Sequence, residues 1–99
     1  MSKMIIDRFY ELTDYTLMDE DDNGLTIQVV FDITKYSDFQ DYCSNNILNK
    51  QKMTLEYLDN VFCFEIVGCS FTLGVISYNE QGEVESVDTT AIGILDFKK

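Results

Sequence analysis

The chain has no histidine, no tryptophan and no proline, and only seven Lys and Arg against eighteen Asp and Glu. Each shortage excludes something. Without histidine the commonest general base and the commonest transition-metal ligand are missing. A formal charge of −11 on 99 residues opposes direct contact with nucleic-acid phosphates, which need Lys and Arg for counterion release. It opposes anionic membrane surfaces equally. No apolar stretch approaches the roughly 20 residues that cross a bilayer. The first residues, 1–7, show neither the apolar core nor the small-residue cleavage site of a secretory signal. Three cysteines, Cys43, Cys63 and Cys69, make an odd count with no C-x-x-C pair. They read as reduced thiols serving as small core side chains in a cytoplasmic protein.

What is present suits one folded domain over 1–99. The chain is 45% hydrophobic and 13% aromatic, with seven Phe and six Tyr, whereas disordered acidic chains are poor in both classes. Without proline, the turns are marked by Asn, Asp and Gly. Ile5, Ile6, Phe9 and Leu12 recur at helical spacing and predict a short N-terminal helix, with a strand as the competing reading. Residues 15–19 suggest a strand, and Asn23-Gly24 a hairpin turn. Leu25, Ile27, Val29, Phe31 and Ile33 alternate with Thr26, Gln28, Val30, Asp32 and Thr34, the pattern of a half-buried strand.

Ser37 is positioned to cap a helix over 38–48, with Asp38 and Asp41 in its first turn. Phe39, Tyr42, Cys43, Ile47 and Leu48 form its apolar stripe. Beyond it the chain reads as strands: 53–57, a turn at Asp59-Asn60, then 61–67 as a central strand covered on both faces. A turn at 68–70 precedes strands at 71–78, 83–88 and 91–97, with a further turn at 79–82. The expected fold is therefore α+β: an antiparallel sheet of about six strands, ordered as a meander, with one or two helices packed on one face. A small closed barrel with a helix is the alternative.

The acidic excess is uneven. Residues 53–97 contain eight acids and no base. A solvated sheet face normally mixes signs to relieve repulsion. Carboxylates alone on such a face point to a basic partner. Glu83 and Glu85, on the same side of a predicted strand, lie about 6.7 Å apart by twice the strand rise. Glu80 precedes them, Asp88 follows, and Tyr78 adds an aromatic contact. Asp19, Glu20, Asp21 and Asp22 form a second acidic patch. Tyr10, Tyr15, Tyr36 and Tyr57 are further candidates for exposed aromatics, against the reading that they edge the core with the hydroxyl in water.

Asp19-x-Asp21-x-Asn23-Gly24 matches the first half of a calcium loop, but the twelfth position is Val30 where a bidentate Glu is required. Carboxylate pairs are unavoidable with eighteen acids and carry no catalytic information. No nucleophile elbow, P-loop or dinucleotide fingerprint is present. Gly74 and Gly93 read as close-packing positions within strands. No cofactor and no enzymatic activity is expected.

In size, charge, base-free acidic segment and overall composition, the chain resembles bacterial toxin-immunity proteins of the colicin and contact-dependent growth-inhibition type. No individual motif aligns. The resemblance implies an acidic inhibitor that fills the basic cleft of a nuclease toxin, through Glu80, Glu83, Glu85, Asp88 and Tyr78, with 19–22 as a second patch. Two other readings share the composition: a phage-encoded nucleic-acid mimic blocking a host defence enzyme, and a calcium-binding or small-molecule module.

Overall fold

The computed structural model describes residues 3–74 and 76–99. Met1, Ser2 and Val75, which fall within the predicted start of the chain and the predicted strand over 71–78, lie outside them. Nine strands and one helix follow in the order β1 (Met4–Ile6), β2 (Tyr10–Leu12), β3 (Asp14–Glu20), β4 (Gly24–Asp32), α1 (Phe39–Leu48), β5 (Lys52–Tyr57), β6 (Asn60–Thr72), β7 (Ile76–Tyr78), β8 (Val84–Val87) and β9 (Thr90–Lys98). Seven form one antiparallel sheet in the order β2-β1-β5-β6-β9-β4-β3, and β7 and β8 form a separate two-stranded sheet.

The α+β expectation holds in its coarse form, with two corrections. The seven main strands exceed the six expected, and the order is not a meander. The last strand, β9, inserts between β4 and β6, pairing Asp32↔Thr90 through Gly24↔Lys98 on one side and Thr72↔Ile92 through Glu65↔Lys98 on the other. Nor is the sheet a closed barrel. Its edge strands β2 and β3 are consecutive in the chain, separated by Thr13 alone, so the sheet curls until its edges meet at that corner. The Thr13 amide and hydroxyl both donate to the Val30 carbonyl, each at 3.0 Å.

The concave face is apolar by strand alternation. Met4, Ile6, Leu12, Leu25, Ile27, Val29, Phe31, Met53, Leu55, Ile66, Leu95 and Phe97 are all buried on it. Helix α1 covers this face, placing Phe39 and Cys43 wholly inside. The Phe39 ring stands 4.8 Å from Tyr10 and 5.0 Å from Phe31, centre to centre. Its stripe is narrower than predicted: Leu48, at the last turn, is 80% exposed. Ser37 is not the cap. Asp38 occupies that position, and its carboxylate accepts the Tyr10 hydroxyl at 2.8 Å rather than a helix amide.

The predicted N-terminal helix is instead the β1–β2 hairpin. Asp7 and Arg8 both take left-handed backbone, φ 53° and 59°, which reverses the chain. Asp7 is held there from three sides. Its amide donates to Thr54 O, its Oδ1 accepts the Thr54 amide at 2.7 Å, and its Oδ2 accepts the Tyr42 hydroxyl. The turn between β5 and β6 falls one residue early, on Leu58-Asp59 with φ 51° and 61°. Segment 68–70 is no turn, since β6 runs through it with a bulge at Val67. β6 is central in order but covered on one face only, leaving Val61 and Val67 exposed.

Two glycines admit close approach. A Cβ on Gly93 would lie 2.7 Å from the Phe71 ring and 3.3 Å from Val29. Gly93→Ala should lower stability by about 1–3 kcal/mol through overpacking, seen as a lower urea midpoint at unchanged slope. An unchanged midpoint would mean that the Phe71 ring yields freely. Gly74 lies in the connection after β6, not within a strand, against the Asp88 carbonyl.

Candidate acidic binding arm

Strands β7 and β8 sit in the connection between two paired strands of the main sheet. The chain leaves at Thr72, opposite Ile92, and returns at Thr90. In between it forms a hairpin that projects from the sheet end. The principal extents are 52 × 31 × 24 Å and the radius of gyration is 15.1 Å, against about 13 Å for a compact domain of this length. Asn79 builds the tip: its Oδ1 accepts the amides of Gln81 at 3.0 Å and Glu83 at 2.9 Å. Gly82 completes the tip at φ 81°, a conformation that side chains resist. At the root, Asp88 Oδ1 accepts the Thr90 amide and Thr89 O accepts the Ile33 amide, each at 2.9 Å.

Glu80, Glu83, Glu85 and Asp88 are all exposed on this arm. The expectation that Glu83 and Glu85 alternate along one strand is corrected. Glu83 belongs to the turn, closing it through its carbonyl to Asn79 N. Glu85 is a bulge residue, left over where Tyr78 pairs with Val84 and Ser77 with Ser86. Bulges and charges are the usual means by which an exposed strand edge avoids unwanted pairing. Tyr78 and Val84, directly cross-strand, are 60% and 58% exposed. The arm thus offers an apolar pair among four carboxylates. Tyr78 was legible as a contact residue. Val84 was not, because alternation between two glutamates reads as an inward position.

The tyrosines sort sharply. Tyr10, Tyr36 and Tyr57 are buried and Tyr15 is half-buried, so of the five candidates Tyr78 alone is exposed. Tyr36 receives the Glu11 amide on its hydroxyl at 3.0 Å.

The second acidic patch is elsewhere and differently used. Asp19–Asp22 lie at the β3–β4 turn, where β4 pairs with the end of β9, while the arm springs from the opposite end of the same strands. The eight residue steps of β4 separate the two by about 27 Å at ~3.4 Å each. Glu20 pairs with Lys99 at 2.7 Å. Asp21 Oδ1 accepts the amides of Asn23 and Gly24, each at 2.8 Å, so this carboxylate shapes the turn. The Lys99 amide donates to Asn23 O. Asp19 and Asp22 remain without a bonded partner among the described residues. Among those residues no three acidic or sulfur groups converge to hold a metal ion.

Elsewhere on the main sheet some acids meet bases that are distant in the sequence. Lys3 pairs with Glu11 at 3.1 Å and Arg8 with Glu56 at 3.4 Å. Glu65 stands in register between Lys52 and Lys98. Asp96 accepts the Thr26 hydroxyl at 2.7 Å and lies over Gly68. Asp32, beside the arm root, accepts the Thr34 hydroxyl and amide, which hold its carboxyl below the usual range. No ion pair among the described residues reaches Glu80, Glu83, Glu85 or Asp88. The cysteines are free thiols: Cys43 is buried, Cys69 is half-buried, and Cys63 is exposed, contrary to the expectation of a core position. No helix among the described residues is long and apolar enough to cross a membrane. Comparison with protein-family models, curated proteins and solved structures finds no match.

Proposed function

We propose that this chain is an acidic binding protein that captures a cationic protein through the β7–β8 arm. The observation that carries the reading is the segregation of charge. Lys3, Arg8 and Lys99 pair with acids of the sheet body, and no base among the described residues pairs with the four carboxylates gathered on one projecting hairpin. Unpaired like charge raises self-repulsion and is retained where a partner relieves it. The partner best suited is a nuclease toxin whose basic groove normally receives phosphates. Glu80, Glu83, Glu85 and Asp88 take the place of those phosphates, and Tyr78 with Val84 supplies the apolar contact at the centre. Inhibition is occlusion of the groove. The patch at Asp19–Asp22 is secondary, since Glu20 and Asp21 are already engaged.

The double variant Glu83→Lys, Glu85→Lys tests this against a basic nuclease toxin. It removes the arm's net charge without touching a buried side chain. Affinity at about 50 mM salt should fall about 100-fold or more, chiefly through association rate, and the loss should shrink at about 500 mM. Protection of cells co-expressing the toxin should fall in parallel. Equal affinity at both salt concentrations would remove the arm from the interface.

A further inference from the structure

A cavity of about 210 Å³ lies where the arm root meets the start of α1, lined by Phe31, Ile33, Tyr36, Ser37, Gln40 and Leu73. Phe31 and Tyr36 are buried and form its floor. Leu73, 52% exposed, is a wall contributed by the residue that leads into the arm. The Ile33 amide is bonded to Thr89 at the arm's other root, so cavity and arm share a frame. The Ser37 hydroxyl and the Gln40 amide have no bonded partner among the described residues. Ser37 and Gln40 are exposed and supply the polar part of the lining.

We infer that this cavity seats one large apolar side chain, aromatic in size, presented by a Lys- and Arg-rich segment of the same cationic partner that the arm engages; the inference rests on the arm reading above. Size supports an aromatic occupant, since an apolar cavity of about 150 Å³ holds a benzene ring. The rings of Phe31 and Tyr36 provide partners for edge-to-face packing. Charge determines what carries the side chain. The arm that Leu73 leads into carries Glu80, Glu83, Glu85 and Asp88, all exposed, and exposed Asp41 adjoins Gln40 in the sequence of α1. Lys35 lies over the Tyr36 ring, its Nζ 5.2 Å from the ring centre. A second copy of this chain would bring its own carboxylates to the same place, which like-charge repulsion opposes.

Three amidated pentapeptides serve as probes: Lys-Lys-Phe-Lys-Lys, the same with Ala at the centre, and the same with Glu in place of each Lys. Binding is followed by NMR at the Ser37 and Gln40 amides, the Leu73 methyls and the amides of Glu83 and Glu85. The Phe peptide should bind about tenfold tighter than the Ala peptide and shift both groups of signals. Leu73→Ser, at a half-exposed position, should abolish that preference while leaving the Ala peptide's affinity unchanged. Glu83→Lys with Glu85→Lys should weaken both cationic peptides together and preserve their ratio. Equal affinity of Phe and Ala peptides, or a preference indifferent to Leu73→Ser, would overturn the cavity assignment and leave the arm reading standing. A Phe preference that persists with no response to arm reversal would overturn the shared partner, while the arm reading stands or falls on the toxin titration above. Binding of the Glu peptide as tight as that of the Lys peptide would overturn the cationic carrier.

Discussion

Replacing residues 74–88 with Asn-Gly leaves the seven-stranded sheet folded and abolishes capture of the cationic partner. The expectation follows from where the arm is inserted. β6 and β9 are already neighbours, with Thr72 opposite Ile92, so the excision closes a four-residue loop between strands that pair in any case. Loops of that length are common between antiparallel strands. The arm's described side chains from Ser77 to Ser86 are exposed, Asn79 excepted, so that stretch takes no apolar core with it. Thr89 remains, and with it the bond that its carbonyl accepts from Ile33. Closing a loop of four residues instead of about seventeen is favourable by about 1 kcal/mol in chain entropy. The melting temperature should therefore hold or rise slightly, while affinity for the toxin drops by at least about 1,000-fold, since carboxylates and apolar pair leave together. Circular dichroism and a binding titration on the same sample separate the two effects. Retained binding would move the interface to the sheet body or to the Asp19–Asp22 tip. Loss of the fold would show that the arm is structural.

The parts of this arrangement that sequence could reveal are those encoded by local period. β4 was legible because five apolar residues alternate without interruption, and α1 because Phe39 and Cys43 recur at helical spacing. What escaped depends on contacts between distant residues. Asp-Arg is no standard turn signal. The reversal at Asp7-Arg8 is enforced by Thr54 and Tyr42, 47 and 35 residues away, and without them Ile5, Ile6, Phe9 and Leu12 do read as a helix. The insertion of β9 between β4 and β6 is a long-range pairing with no local mark. That pairing also places Lys98 beside Glu65, so a base-free segment acquires bases from outside itself. The candidate site was legible as composition, in Glu80, Glu83, Glu85 and Asp88. Its form as a projecting, bulged arm was not, because a bulge at Glu85 and a turn ending at Glu83 leave no trace in a pattern that alternates cleanly.

Raising the pH from about 9 to about 11 should lower stability markedly through two buried side chains. Cys43 is wholly buried, and burial first, then the nearby Cys69 and Asp7, push its thiol well above its ordinary value of 9.0. Tyr10 is buried among Tyr36, Phe39 and Tyr42. Burial, and the hydroxyl's bond to the Asp38 carboxylate, raise it well above 10.0. The folded protein therefore keeps both protons where the unfolded chain releases them. Stability from such raised groups is intact below their unfolded values and falls as pH climbs past them. Each retained proton costs about 1.4 kcal/mol per pH unit above the unfolded group's value, so Cys43 acts from about pH 9 and Tyr10 from about pH 10. Tyr42 and Tyr57, raised chiefly by burial, act in the same direction. Against a total of about 5–15 kcal/mol for a domain, losses of this order are a large fraction. Urea midpoints measured between about pH 8 and 11 should fall steeply above pH 9 in the native sequence. Cys43→Ala should flatten the fall between 9 and 10, and Tyr10→Phe the part above 10. A fall of the same slope in both variants would mean that alkaline unfolding is driven instead by general repulsion among the eighteen carboxylates as the six lysines neutralise.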